Sequence, residues 1–234
     1  YAATQNNLSG VYWYLAKLIE QPENQIIYLN QAKAACEEAL VYRTPEHSPV
    51  DYAATKSNLG TTYLYLAKAA DNTEARLVNL KLAINAFEAT LVYQTPQHTP
   101  LSYAATRNNL GVVYKDLAEI EDREDNLIWA VELYREALTC YTPQSPFYEY
   151  GGALTNLGEV YCKLAELTSI DEYLPEAFAA LEEASNHVPP QAISFYAELK
   201  KQYGHAFKLK GDLSSAINCW REAEGYFRQS GNRK

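Results

Sequence analysis

Asn7, Asn58, Asn109 and Asn156 each stand directly before a leucine in a segment that the chain repeats. A carboxamide carries two N–H donors and a carbonyl acceptor with two lone pairs, so one asparagine can bond both an N–H and a C=O of a peptide without reading its side chains. The same amides serve equally well to tie one repeat to the next, because buried polar groups must find partners in either case. Other chemistry is thinly supplied. His47 and His98 are equivalent residues one repeat of 51 apart, and each lacks the further ligands that a metal site requires. Cys36, Cys140, Cys162 and Cys219 show no C-x-x-C spacing. Cys36 takes a repeat position held elsewhere by Phe87, Tyr134, Leu181 and Trp220, as a small apolar core residue would. Reduced thiols and a cytoplasmic setting are expected. Glu37-Glu38 and Glu182-Glu183 read as solvated acids on an outer face. The sequence contains no Gly-rich phosphate loop, nucleophile elbow or H-E-x-x-H. No catalytic residue, metal or cofactor is therefore expected.

The elements that carry these residues are set by the repeat. YAATQNNLSGVYWYLA at residues 1–16 returns as YAATKSNLGTTYLYLA at 52–67, as YAATRNNLGVVYKDLA at 103–118 and, more loosely, as YGGALTNLGEVYCKLA at 150–165. Leu8, Tyr12, Leu15 and Ala16, with their counterparts Leu59, Tyr63, Leu66, Ala67 and Leu110, Tyr114, Leu117, Ala118, fall at i, i+4, i+7 and i+8, one face of an amphipathic helix. A second helix follows in each unit, marked by Ala32, Cys36 and Ala39, by Ala83 and Phe87, by Ala130, Tyr134 and Ala137, and by Ala177, Leu181 and Ala184. These run into Thr44-Pro45, Thr95-Pro96, Thr142-Pro143 and Val188-Pro189, where proline disfavours helix in the residue before it. Asp51 and Ser102 are placed to cap the following helices, and Ser169 with Glu172 has capping-box spacing. Polar breaks at 21–24 and 121–125 separate the helices of a pair. A divergent fifth unit carries Tyr203-Gly204, Phe207, Ala216, Trp220 and Ala223.

Each hairpin can bury its apolar face only against its neighbours, so the repeat predicts a stack rather than a single-core globule. One domain over 1–234 is expected, with repeats near 1–50, 51–101, 102–148, 149–190 and 191–234. The absence of Met and an opening inside the motif point to a piece of a longer protein. The content of 47% hydrophobic and 21% charged residues is that of a soluble chain. A net charge of -9 repels a phosphate backbone, which argues against nucleic acid as a partner. No apolar stretch approaches the ~20 residues that cross a bilayer, so no membrane role is expected.

Leu or Tyr, then Gly, then an aromatic three residues on, followed by the Ala-bulky-Ala pattern of the second helix, resembles the tetratricopeptide repeat. The fifth unit has the family's usual spacing, Tyr203 to Ala216 being 13 residues; Leu8 to Ala32 and Leu59 to Ala83 are 24, and Leu110 to Ala130 and Leu157 to Ala177 are 20. The extra 11 and 7 residues are close to three and two helical turns, which lengthen a hairpin while keeping its faces in phase. These long units look like kinesin light chain repeats and, equally, like the bacterial repeats found beside caspase-like (CHAT) and signalling ATPase (STAND) domains. The resemblance implies an all-α, right-handed superhelical solenoid of about five hairpins and ten helices, with first helices lining an inner groove. It also implies that asparagines before the repeated leucine form a ladder holding an extended peptide, as in O-linked GlcNAc transferase.

Helices packed about 8–10 Å apart and a peptide advancing about 3.3 Å per residue would meet roughly every third residue, so four rungs suit a segment of about nine or ten. The candidate peptide-binding set is Asn7, Asn58, Asn109 and Asn156, the adjacent Asn6 and Asn108, and the groove-side Trp13, Tyr14, Tyr65, Lys17 and Lys68. Lys115, Asp116, Glu119, Glu159, Lys163 and Glu166 give the later repeats a mixed-charge character. Asn6, Ser57, Asn108, Gly10, Thr61 and Val112 stand where chaperone-binding relatives would want Lys or Arg. The expected function is a protein-interaction module holding a peptide segment of a partner. The rivals are a sensor or autoinhibitory arm of a larger protein, and a scaffold that associates weakly with itself through its N-terminal end.

Overall fold

Ten α-helices and no strand make up the described residues, 1–19 and 21–229, of the computed structural model. They are α1 (Ala2–Leu18), α2 (Pro22–Tyr42), α3 (Pro49–Ala69), α4 (Thr73–Leu91), α5 (Pro100–Leu117), α6 (Arg123–Leu138), α7 (Tyr150–Leu167), α8 (Ile170–His187), α9 (Ile193–Leu209) and α10 (Leu213–Gln229). The first four second helices, α2, α4, α6 and α8, each end before the Pro dipeptide that follows, as the sequence predicts. No helix among the described residues is long and apolar enough to cross a membrane.

Helix starts differ from the sequence reading. α3 and α5 open at Pro49 and Pro100, two residues ahead of Asp51 and Ser102, with Ser48 and Thr99 as their N-caps. Proline is preorganised for the first helical position, where its missing N–H would be unpaired anyway, so the helices start there and not after Asp51 and Ser102. Asp51 instead faces buried Arg43, with 3.7 Å between Oδ1 and Nη2. Ser169 is the N-cap of α8, but its side chain makes no capping bond. Pro22, read as part of a break, begins α2. Two further caps come from the structure: Asn72 Oδ1 accepts from the Ala75 amide at 2.8 Å, and Asp212 Oδ1 accepts from the Ser215 amide at 3.0 Å.

The chain groups into two compact units, Tyr1–Glu121 and Asp122–Lys234, divided between α5 and α6 inside the third repeat. In the first, the hairpins α1–α2 and α3–α4 stack through α2 and α3, and α5 adds to α4 and α3. Ala16, Leu29 and Leu66, from three successive helices, form a fully enclosed centre with Trp13, Tyr28, Tyr63, Tyr65 and Ala69 packed around it. Gly60 makes room for Phe87: a Cβ there would stand 2.8 Å from the ring. A buried Phe contributes about 1.5–3 kcal/mol, so the glycine is kept for what it lets pack.

In the second unit α6 lies on α7, and the hairpins α7–α8 and α9–α10 join through contacts of α9 with both α7 and α8. Phe178 of α8 meets Phe207 of α9 at 5.2 Å between ring centres. Gly204 accommodates Trp220 as Gly60 does Phe87.

Candidate functional site

The 51-residue period places Asn58 and Asn109 at the same turn of α3 and α5. Together with α1 these helices enclose a cavity of about 440 Å³ in the first unit, lined by Trp13, Asn58, Tyr65, Lys68, Asn109 and Val112 among others. Five of the eleven candidate residues therefore share one wall. The indole of Trp13 meets the Tyr65 ring edge-on, 5.4 Å between centres. Lys17 Nζ lies 4.8 Å over Trp13 and Lys68 Nζ 5.7 Å over Tyr65, so each aromatic carries a cation on its face. Burial raises the Tyr65 phenol above its ordinary value and keeps it neutral. Lys68 Nζ is also 3.8 Å from Asp116 Oδ2. Burial pushes the Asp116 carboxyl up, and Lys68 pulls in the opposite direction.

The amides divide into two kinds. Asn58 Nδ2 donates to Asn6 Oδ1 at 3.1 Å, and Thr55 Oγ1 donates to the same oxygen at 3.0 Å. Arg43 Nη1 donates to Thr55 Oγ1 at 2.9 Å, which completes a tie between the first two hairpins. One repeat on, Thr106 Oγ1 donates to Gln94 Oε1 at 2.7 Å in the equivalent place. Asn6 thus joins repeats. Asn109, by contrast, makes no hydrogen bond among the described residues although it lines the cavity.

The remaining candidates lie apart from the cavity. Asn7 and Tyr14 are exposed on α1, and Lys17 reaches the site only through Trp13. Asn108 is half-buried, its Oδ1 enclosed without a partner, as is Trp13 Nε1. Asn156 is half-buried on α7 in the second unit. At the fifth rung, Gln202 is buried and donates to Glu198 of its own helix at 2.5 Å. Glu159 pairs with Lys163 along α7 at 3.8 Å.

A second cavity, about 290 Å³, lies among α6, α7 and α8, where Tyr161 and Tyr173 stack at 6.2 Å and Arg135 covers Tyr161. Tyr12 and Tyr28 repeat that pairing in the first hairpin at 6.3 Å, so the stack is a packing feature of the hairpin. His47 and His98 contact Thr44 and Thr95 of their own turns at 2.9 and 3.0 Å. Among the described residues no group of three or more His, Cys, Asp or Glu is placed to hold a metal ion. The four cysteines are unpaired. Burial raises the Cys36 thiol to about 11 and that of Cys162 to about 12, which leaves neither a thiolate at neutral pH.

No known family model matches the chain, and no curated protein matches it in sequence. Solved structures do match its fold. MamA aligns at a TM-score of 0.55 with 17% identity over 91% of this chain and 98% of its own. The nearly identical TPR-like repeats of a putative kinesin light chain from Podosopora anserina align at 0.57 with 15% identity over 98% and 95%. The chain has the all-α, TPR-like helical-repeat fold over nearly its whole length. That fold is generally one of protein interaction.

Proposed function

We propose that this chain is a protein-interaction module without catalysis of its own, and that the cavity walled by α1, α3 and α5 holds an extended segment of a partner protein. The observation that carries the reading is Asn109: a side-chain amide with no hydrogen bond among the described residues, standing in the wall of a cavity of about 440 Å³. Asn58 uses one N–H on Asn6 and keeps its carbonyl and second N–H for a ligand. The two amides hold backbone, and the Trp13–Tyr65 pair offers an apolar surface for one side chain of the guest. Asn7 and Asn108 belong to this reading as outlying rungs, Asn6 as the support that orients Asn58, and Asn156 is proposed only as the equivalent amide of the second unit.

A selection of random twelve-residue peptides displayed on phage, with the purified chain as bait, tests this. Enriched sequences should share an apolar or aromatic anchor and lose binding when Trp13 and Asn109 are both replaced by Ala. Enriched peptides whose binding is indifferent to those changes would reject the site.

A further inference from the structure

The cavity of about 290 Å³ in the second unit has a floor and a rim of opposite character. Val131, Tyr161 and Leu164 are buried at its base, and Tyr173 is half-buried beside them. Glu132 of α6 and Glu172 and Glu176 of α8 are exposed around it, together with Arg135 of α6. Three carboxylates against one guanidinium leave a net of two negative charges. None of the three carboxylates forms an ion pair among the described residues. The tyrosine pair belongs to the repeat, since Tyr12 and Tyr28 form it in the first hairpin. The acids of α8 do not. Nine and five residues before the bulky residue of the second helix stand Glu172 and Glu176 in the fourth hairpin, but Ile27 and Gln31 in the first, Val78 and Leu82 in the second, and Asp125 and Trp129 in the third. The fourth hairpin alone among these has an acid at both places, beside an aromatic floor that the repeat supplies.

Arg135 shows what this wall receives: its guanidinium covers the Tyr161 ring at 5.7 Å. A planar cation gains from the electron-rich face of a phenol, and its fork of N–H donors matches a carboxylate. Burial raises the Tyr161 phenol against the pull of Arg135, and burial with Glu172 and Glu124 raises that of Tyr173, so both rings stay neutral. We infer that the cavity takes an arginine side chain of a partner protein, its stem against Tyr161, Tyr173 and Leu164 and its guanidinium on Glu172 and Glu176. The volume lies at the foot of the ~300–1,000 Å³ range of pockets that enclose drug-sized ligands, which suits one side chain rather than a free metabolite. Glu172 and Glu176 are four residues apart and neighbours on one face of α8. A guanidinium can serve both with separate donors, whereas the ammonium of lysine acts as a point charge.

Titration of the isotope-labelled chain with N-acetylarginine amide, followed by amide chemical shifts, tests this, with the neutral isostere N-acetylcitrulline amide as control. The arginine probe should give saturable shifts confined to the cavity segments 128–135, 161–164 and 172–176, and citrulline should give none. Glu172→Gln with Glu176→Gln keeps the shape of two exposed side chains, so the variant should melt as the parent does. It should bind the probe about two- to thirtyfold more weakly, the loss expected for two exposed charge pairs. Arg135→Gln should bind it more tightly, because the one opposing charge is gone. Equal shifts from arginine and citrulline, or saturable shifts centred outside these segments, overturn the proposal. So do binding indifferent to the glutamate pair, an Arg135→Gln variant that binds no better, and the absence of any saturable shift at millimolar probe. N-acetyllysine amide binding as tightly as the arginine probe overturns the choice of arginine.

Discussion

Asn58 and Asn109 occupy equivalent positions yet should respond differently to truncation. Asn58→Ala removes a hydrogen bond to Asn6 Oδ1, which keeps its other donor, Thr55, so the acceptor is not orphaned. The net cost is that of one neutral bond, about 0.5–1.5 kcal/mol. For a chain of this size each kcal/mol moves Tm by about 2–4 °C, so a loss of a few degrees is expected. Asn109→Ala removes no side-chain hydrogen bond among the described residues and replaces a modest helix former by the best one, a gain of up to about 0.7 kcal/mol. Its Tm should hold or rise slightly. Affinity for a selected peptide, read by fluorescence anisotropy, should fall in both variants, by about two- to tenfold for one backbone bond lost. The discriminating outcome is Asn109→Ala: weaker binding at an undiminished Tm. A Tm that falls as far as in Asn58→Ala, with affinity intact, would show that Asn109 ties repeats together as Asn58 does, and the peptide-holding reading would be refuted.

Gly60→Ala should destabilise the chain by about 1–3 kcal/mol, since its methyl meets the enclosed Phe87 ring at 2.8 Å. Gly10→Ala, where nothing lies within 4 Å of the new carbon, should stabilise by about 0.5–1 kcal/mol; urea melts of the two variants compare them directly. Arg43→Ala removes a charge-assisted hydrogen bond to Thr55, which keeps Asn6 Oδ1 and the Asp51 carbonyl as acceptors, and should cost about 1.5–3 kcal/mol in thermal melts; Arg43→Gln, which can still offer Thr55 one neutral bond, should cost less. His205 lies against Trp220, and burial with nearby Lys201 lowers its pKa below 6.5. A base whose folded pKa is depressed adds stability above the unfolded value, and that stability is lost as pH falls through the folded one. Melting temperature should therefore drop on acidification below about pH 6.5, and His205→Gln should flatten that part of the profile.

The repeat made the fold legible. Leu, Gly and aromatic residues at helical spacing, and proline after each second helix, mark elements by local geometry, which depends on neighbours a few residues away. Proline is two-sided, however: it closes the preceding helix and, at Pro49 and Pro100, opens the next one, ahead of the capping residues Asp51 and Ser102 that the sequence suggests. The 51-residue period further placed Asn58 and Asn109 at equivalent positions, with Trp13 and Tyr65 about two turns further along their helices, and the cavity brings them together. What the sequence could not decide was the partner of each amide. Asn6 and Asn7 are adjacent and identical in type, yet one takes two hydrogen bonds from the next hairpin and the other stands exposed, because successive residues of a helix point about 100° apart and only one faces the neighbour. Asn58 and Asn109 share a position but not a role, since the second needs an acceptor one repeat back and Ser57 stands where Asn6 would be. Hydrogen bonds across hairpins depend on distances of tenths of an ångström between residues some fifty apart in the chain, and only the packed structure sets those.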